Sequence, residues 1–166
     1  LKRFVLASLC ASLILVGMIS SQAFASEGHR HILEWGTFGV IDPGQFNLAQ
    51  QIAVDDERHI YVADTGNSRI QKFTNDGEFL SSWGTLQSPV GITIYENNVY
   101  VVDDKQNTIQ KFDIDGNFIL AWGEFGIDDG QFNKPKGITT DSNGIVYVAD
   151  SKNYRIQTFT SDGEFL

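Results

Sequence analysis

Residues 60–80 read IYVADTGNSRIQKFTNDGEFL, and residues 146–166 read VYVADSKNYRIQTFTSDGEFL; the two agree at fifteen of twenty-one positions. A copied unit constrains a fold strongly, because each copy must stack on its neighbours to bury an apolar face. Trp35, Trp83 and Trp122, each followed by Gly, mark the period at spacings of 48 and 39 residues. The cores of the units are IYVADTGNSRIQKF (60–73), VYVVDDKQNTIQKF (99–112) and VYVADSKNYRIQTF (146–159). An acidic turn follows each core: NDG at 75–77, DIDG at 113–116 and SDG at 161–163.

Val, Ile, Tyr, Phe and Thr dominate these units, which is β chemistry. Asp-Gly between apolar runs signals a hairpin, because Gly tolerates the positive φ of a tight turn. Each unit reads as four strands. Strand a is expected at 50–55, 90–95 and 136–141, strand b at 60–64, 99–103 and 146–150. Strand c is expected at 69–74, 108–113 and 155–160, strand d at 79–83, 118–122 and a shortened 164–166. Four short antiparallel strands per 40–48 residues describe a propeller blade. The fold class is therefore all-β, a β-propeller with about three blades in this chain.

Pro-x-Gly-Ile before strand a (Pro89 to Ile92, Pro135 to Ile138), then Tyr-Val-x-Asp, then Asn-x-Arg-Ile-Gln-x-Phe resembles the NHL repeat over about residues 33–166. The resemblance implies a β-propeller, commonly six-bladed. The second copy departs from it, with Gln106 in place of the Asn and Thr108 in place of the Arg. The first copy has Ala49 and Gln51 in place of the Pro and Gly.

The first 25 residues read as a secretory signal peptide. Lys2 and Arg3 precede an uncharged run from Phe4 to Ile19, and Ala23-Phe24-Ala25 supplies the small-x-small cut site. The run is shorter than the roughly 20 residues of a membrane span. Cys10 lies inside this signal, and Leu9 before it argues against lipid attachment. Residues 26–32 lead into a closing strand. The blades follow at 33–80, 81–120 and 121–166, the last cut short in strand d. His31 to Trp35 reads as an orphan strand d that completes another blade. Six blades at about 43 residues each need roughly 260 residues. The chain therefore reads as an N-terminal fragment, and a half-propeller completed by a partner chain is the alternative. Either remaining blades or a partner must close the ring. An open blade face with about 500 Å² of apolar surface would forfeit roughly 12 kcal/mol.

Asp64, Asn67 and Arg69 recur as Asp150, Asn153 and Arg155, with Asp103 in the second unit. Because they are copied between blades, they read as b–c turn residues that bond local backbone, with Arg pairing a carboxylate. Asp113-Ile114-Asp115-Gly116-Asn117 resembles the start of a calcium loop, and Glu124 falls at its twelfth position. Trp122 and Gly123 interrupt that loop, so a hairpin turn is the better reading. No cofactor is evident. Calcium suits an acidic exported surface, but no motif supports it. His29, His31 and His59 are too few for the metal site of a propeller enzyme, and no Ser-His-Asp set is recognisable. If the cut follows Ala25, Ser26-Glu27-Gly28-His29 places His fourth and misses an amino-terminal copper site.

The units differ most in the loops from strand d to the next strand a. GTFGVIDPGQFN (36–47) and GEFGIDDGQFN (123–133) are long, and GTLQS (84–88) is short. Loops on a rigid scaffold concentrate binding. The candidate binding-face residues are Phe38, Asp42, Gln45, Phe46, Phe125, Asp128, Asp129, Gln131 and Phe132. A packing role competes for Phe46 and Phe132, which can tuck under the loop onto the blade edge.

The chain carries a formal charge of −9, and residues 26–166 carry −11 from 10 basic and 21 acidic residues. Such a surface repels phosphate backbones, so nucleic acid is not an expected partner. The sequence points to an exported binding or scaffold module at the cell surface, in the periplasm or outside the cell. Its expected ligand is an extracellular protein, a cell-wall polymer or a glycan, without membrane contact beyond the signal. The rivals are a propeller lyase or hydrolase with its metal site in other blades, and an extracellular sensor domain of a longer membrane protein.

Overall fold

The computed structural model describes residues 33–166. The signal segment, Cys10, His29, His31 and the 26–32 stretch lie outside the described residues. Two short strands, β1 (Thr37–Phe38) and β2 (Gln45–Phe46), pair in parallel within the first long loop. A four-stranded sheet follows: β3 (Ala49–Val54), β4 (Ile60–Asp64), β5 (Arg69–Phe73) and β6 (Phe79–Trp83). The second comprises β7 (Pro89–Tyr95), β8 (Asn98–Asp103), β9 (Thr108–Asp113) and β10 (Phe118–Trp122). The third has three strands, β11 (Pro135–Thr140), β12 (Val146–Asp150) and β13 (Arg155–Phe159). Each sheet is an antiparallel meander with its strands in chain order, the architecture of propeller blades. The sheets divide the chain after Trp83 and Trp122, so divisions at residues 80 and 120 cut through β6 and β10.

The sheets stack face to face. Tyr61, Ala63 and Ile70 of the first sheet meet Ile92, Val99, Val101 and Phe112 of the second. Val90, Tyr100, Val102 and Ile109 on the other side of that sheet meet Ile138, Val146, Val148 and Phe159 of the third. The middle sheet is thus covered on both sides, and Val99 to Val102 form an unbroken apolar run for that reason. The first strands run side by side, β3 on β7 and β7 on β11. The register of each first strand shifts at its start, between Ala49 and Gln51, Pro89 and Gly91, and Pro135 and Ile138. Pro cannot donate to a ladder and so suits such a bulge. A Cβ on Gly91 would strike the Lys136 carbonyl of the next sheet.

The tryptophans lock successive blades. Trp83, which ends β6, lies on Phe112 and on Gly116 in the turn of the second blade; Trp122 does the same on Phe159 and Gly163. Gly116 and Gly163 have φ of 88° and 83°, and a Cβ on either would run into the indole. Lys72 and Lys111 add a latch: each lies over a tyrosine ring of its own blade, Tyr61 or Tyr100, and donates to a turn carbonyl of the next, Ile114 or Ser161.

Two strand expectations need correction. Leu33–Trp35 forms no strand, because no strand c lies beside it among the described residues. Trp35 nevertheless stacks on Phe73 and Gly77 as the other two tryptophans stack on theirs. At 164–166 only an isolated bridge forms, Phe159 to Phe165, so the third blade has three strands.

Candidate functional site

The d–a loops and the b–c turns meet at one end of the blades, where a buried carboxylate organises both. Asp64 ends β4 and is fully buried. Its Oδ1 accepts the Asn47 N–H at 2.8 Å. Its Oδ2 accepts Asn67 Nδ2 at 2.8 Å, Arg69 Nε at 2.9 Å and Gln71 Nε2 at 3.0 Å. These donors also hold the long loop. Arg69 Nη2 donates to the Asp42 and Gln45 carbonyls, Asn67 Nδ2 to the Gly39 carbonyl and Gln71 Nε2 to the Gln45 carbonyl. Gln71 Oε1 accepts the Gly44 N–H.

The third blade repeats this clamp. Asp150 accepts from the Asn133 N–H, Asn153, Arg155 and Gln157 at 2.7, 2.8, 2.9 and 3.2 Å. Arg155 Nη2 reaches the Asp128 and Gln131 carbonyls, and Asn153 Nδ2 reaches Gly126. In both blades the turn residues and the long loop form one unit, joined by charge-assisted hydrogen bonds around a desolvated carboxylate.

The second blade carries the short loop and lacks the clamp. Asp103 is buried and accepts the Gln87, Ser88, Lys105 and Gln106 N–H groups instead. Gln110 turns to Gln106. Thr108 and Gln106 therefore replace Arg and Asn where no long loop needs holding. Gln71, Gln157, Asn47 and Asn133 are clamp members that sequence reasoning did not single out; the pairing of Arg with loop length was the available signal.

The clamp sorts the candidate loop residues. Phe132 is fully buried against Phe159, and Phe46 is half-buried against Trp35 and Phe73. Phe132 therefore lies in the core, and Phe46 packs on the first blade with part of its surface still accessible. Gln45 and Gln131 turn back into their loops, accepting the Asp42 and Asp128 N–H groups. Gln45 also donates to Asp42 and Gln131 to Glu124. Phe38 and Phe125 stay 83% and 70% exposed at matching positions. Ile41 and Ile127, which were not among the candidates, are exposed beside them, and Asp42, Asp128 and Asp129 border them. Leu86 of the short loop is buried in the core. The result is two stiff loops with an apolar tip and an acidic edge, flanking a low one.

The other turns are self-satisfied. Asp113 Oδ1 accepts the Asp115 and Asn117 N–H groups, and its Oδ2 accepts Asn117 Nδ2, which chiefly holds its carboxyl below the usual range. Glu124 lies at the far end of β10 from that turn, so the two do not converge. Among the described residues no three His, Cys, Asp or Glu gather to hold a metal ion. His59 packs at the a–b turn, where its N–H and Nδ1 bond Asp55, as does the Tyr61 hydroxyl. Burial pushes Asp55 up, but these bonds outweigh it and leave the carboxyl lowered.

Comparison with known proteins agrees with this picture. The family model for the NHL repeat matches residues 46–73 and 132–159, the two clamped copies. Human NHL repeat-containing protein 3 is 38% identical over 50 residues, covering 30% of this chain and 14% of that protein. A catalytically inactive virginiamycin B lyase from Staphylococcus aureus, solved with quinupristin, superimposes with a TM-score of 0.62 at 18% identity, over 86% of this chain and 45% of that one. A structure of a nidogen/laminin complex gives 0.57 at 22% identity, over 70% and 46%. The two structural likenesses are of fold. The chain spans a small part of its curated relative and under half of these solved chains.

Proposed function

Because this chain carries NHL repeats and belongs with the NHL-repeat family, we propose that it is an exported recognition module on a six-bladed propeller plan. The d–a loop face binds an extracellular protein, a cell-wall polymer or a glycan. One observation carries the reading: both long loops are fastened to a buried carboxylate, yet each leaves a Phe and an Ile in water. Scaffold needs explain the clamp, whereas packing does not explain the tips. Preorganised loops lose little entropy on binding, and exposed aromatic side chains are common anchors. The signal-like segment at 1–25 supports export, and the acidic rim favours ligands without phosphate.

Selection from a random peptide display library tests the reading, with the Phe38→Ser/Phe125→Ser variant as counter-target. Peptides that bind the wild type and not the variant support a loop-face site. Sequences enriched equally on both proteins would refute it. A parallel pull-down with cell-wall sacculi, scored against the same variant, tests the polymer arm.

A further inference from the structure

We propose that an extended segment of a partner protein adds as a strand to the open edge of a long loop, at Phe38 or Phe125, and presents an apolar side chain next to a Lys or Arg. This inference rests on the loop-face reading and narrows its ligand to a peptide chain.

The loop backbone supplies the first observation. In the first long loop the Thr37 and Gly39 N–H groups donate to the Gly44 and Phe46 carbonyls at 3.2 and 3.1 Å. In the second the Gly126 N–H donates to the Phe132 carbonyl at 3.0 Å, and the Phe132 N–H donates to the Glu124 carbonyl at 2.7 Å. Successive main-chain groups of an extended strand point to opposite edges. The residue between the bonded ones, Phe38 or Phe125, therefore turns its own N–H and carbonyl to the other edge. Neither residue makes a main-chain hydrogen bond among the described residues. An open edge of this kind is a template for a further strand.

The edge is braced, and neighbouring blades leave it open. Asn67 and Asn153 hold the Gly39 and Gly126 carbonyls. Phe38 is 83% exposed with the following blade in place, and Phe125 is 70% exposed with the preceding blade in place.

Side chains then select the segment. A residue paired with Phe38 or Phe125 puts its side chain on the same face as the ring. Ile41 or Ile127 extends the apolar surface there, so an aliphatic or aromatic side chain fits. The loop at 123–133 also carries Glu124, Asp128 and Asp129, all exposed, and no basic residue. Asp129 lies 3.9 Å from Arg155 Nη1, but that guanidinium also serves the buried Asp150. A Lys or Arg beside the apolar anchor complements this charge. A glycan has no amide main chain to match the edge. Gln45 and Gln131 already bond the Asp42 and Glu124 carboxylates that sugar hydroxyls would seek.

The probes are peptides selected on the wild-type chain and lost on Phe38→Ser/Phe125→Ser. They are expected to carry Lys or Arg and to bind more weakly as salt rises. Amide exchange followed by NMR reads the edge directly: saturation with peptide is expected to slow the Phe38 or Phe125 amide at least about tenfold. N-methylation of each peptide amide in turn is expected to cost about tenfold at the position facing the loop and little at its two neighbours. Unchanged exchange at both phenylalanines would overturn the proposal, as would peptides that tolerate methylation throughout or lack basic residues. Loop-dependent binding of cell-wall sacculi or glycans without any loop-dependent peptide would overturn it too, and would leave the loop-face reading standing. The absence of any loop-dependent ligand would overturn both.

Discussion

Arg155→Thr gives the third blade the residue that the second blade carries at Thr108. Arg155 is the cationic partner of a fully buried Asp150 and also holds two loop carbonyls. Removing one member of a buried pair typically costs 3–5 kcal/mol. Asp150 would keep the Asn133, Asn153 and Gln157 donors, so the lower end applies, about 3 kcal/mol. For a domain of this size that is roughly 10 °C in Tm. Urea unfolding followed by tryptophan fluorescence measures the loss. Hydrogen exchange at Gly126 and Phe132, whose amides bond the Phe132 and Glu124 carbonyls, should quicken by more than the global loss alone predicts. Asp150→Asn in the Arg155→Thr background should recover part of the stability, because it removes the unpaired charge. A loss under about 0.5 kcal/mol, within the range of ordinary surface changes, with unaltered exchange would refute the clamp.

Phe132→Ala should cost about 3–5 kcal/mol in urea unfolding, whereas Phe125→Ser in the same loop should stay within about 0.5 kcal/mol. Gly116→Ala should destabilise by more than about 1 kcal/mol, through its φ of 88° and the Trp83 indole; an unchanged Tm would contradict that packing. Asp55, Asp113 and Asp141 have lowered pKa values when folded, Asp141 through the Ile145 N–H first and Asp113 through Asn117. The unfolded chain therefore takes up protons first as pH falls. The contribution of these groups is complete above the ordinary carboxylate range and is lost at pH below about 4. Asp55→Asn should flatten that acid limb in a pH series of urea midpoints, and an unchanged slope would contradict its hydrogen bonding.

The blades were legible because their signals are local. Continuous β-branched and aromatic runs set β4, β8 and β12, and Asp-Gly set the c–d turns, so the edges of the strands that form fall within a residue of expectation. The copied Asp, Asn and Arg were expected as turn residues from repetition alone. Their grip on the long loops was not, because Arg155 and Gln131 lie 24 residues apart and meet only after the blade closes. The sequence allowed a packing role for Phe132 and not for Phe125 of the same loop; Phe132 is buried against Phe159 of the third blade, and Phe125 is exposed. Within the strand expected at His31–Trp35, the described part, Leu33–Trp35, failed for the same reason, since a strand d exists only beside a strand c.

The exposed loop tips bear most directly on the account. The decisive measurement is the affinity of a selected peptide for the wild type and for Phe38→Ser/Phe125→Ser, with Tm recorded for both. The account predicts at least about a tenfold loss of affinity, or 1.4 kcal/mol, at unchanged Tm. Equal affinity for the two proteins would contradict it.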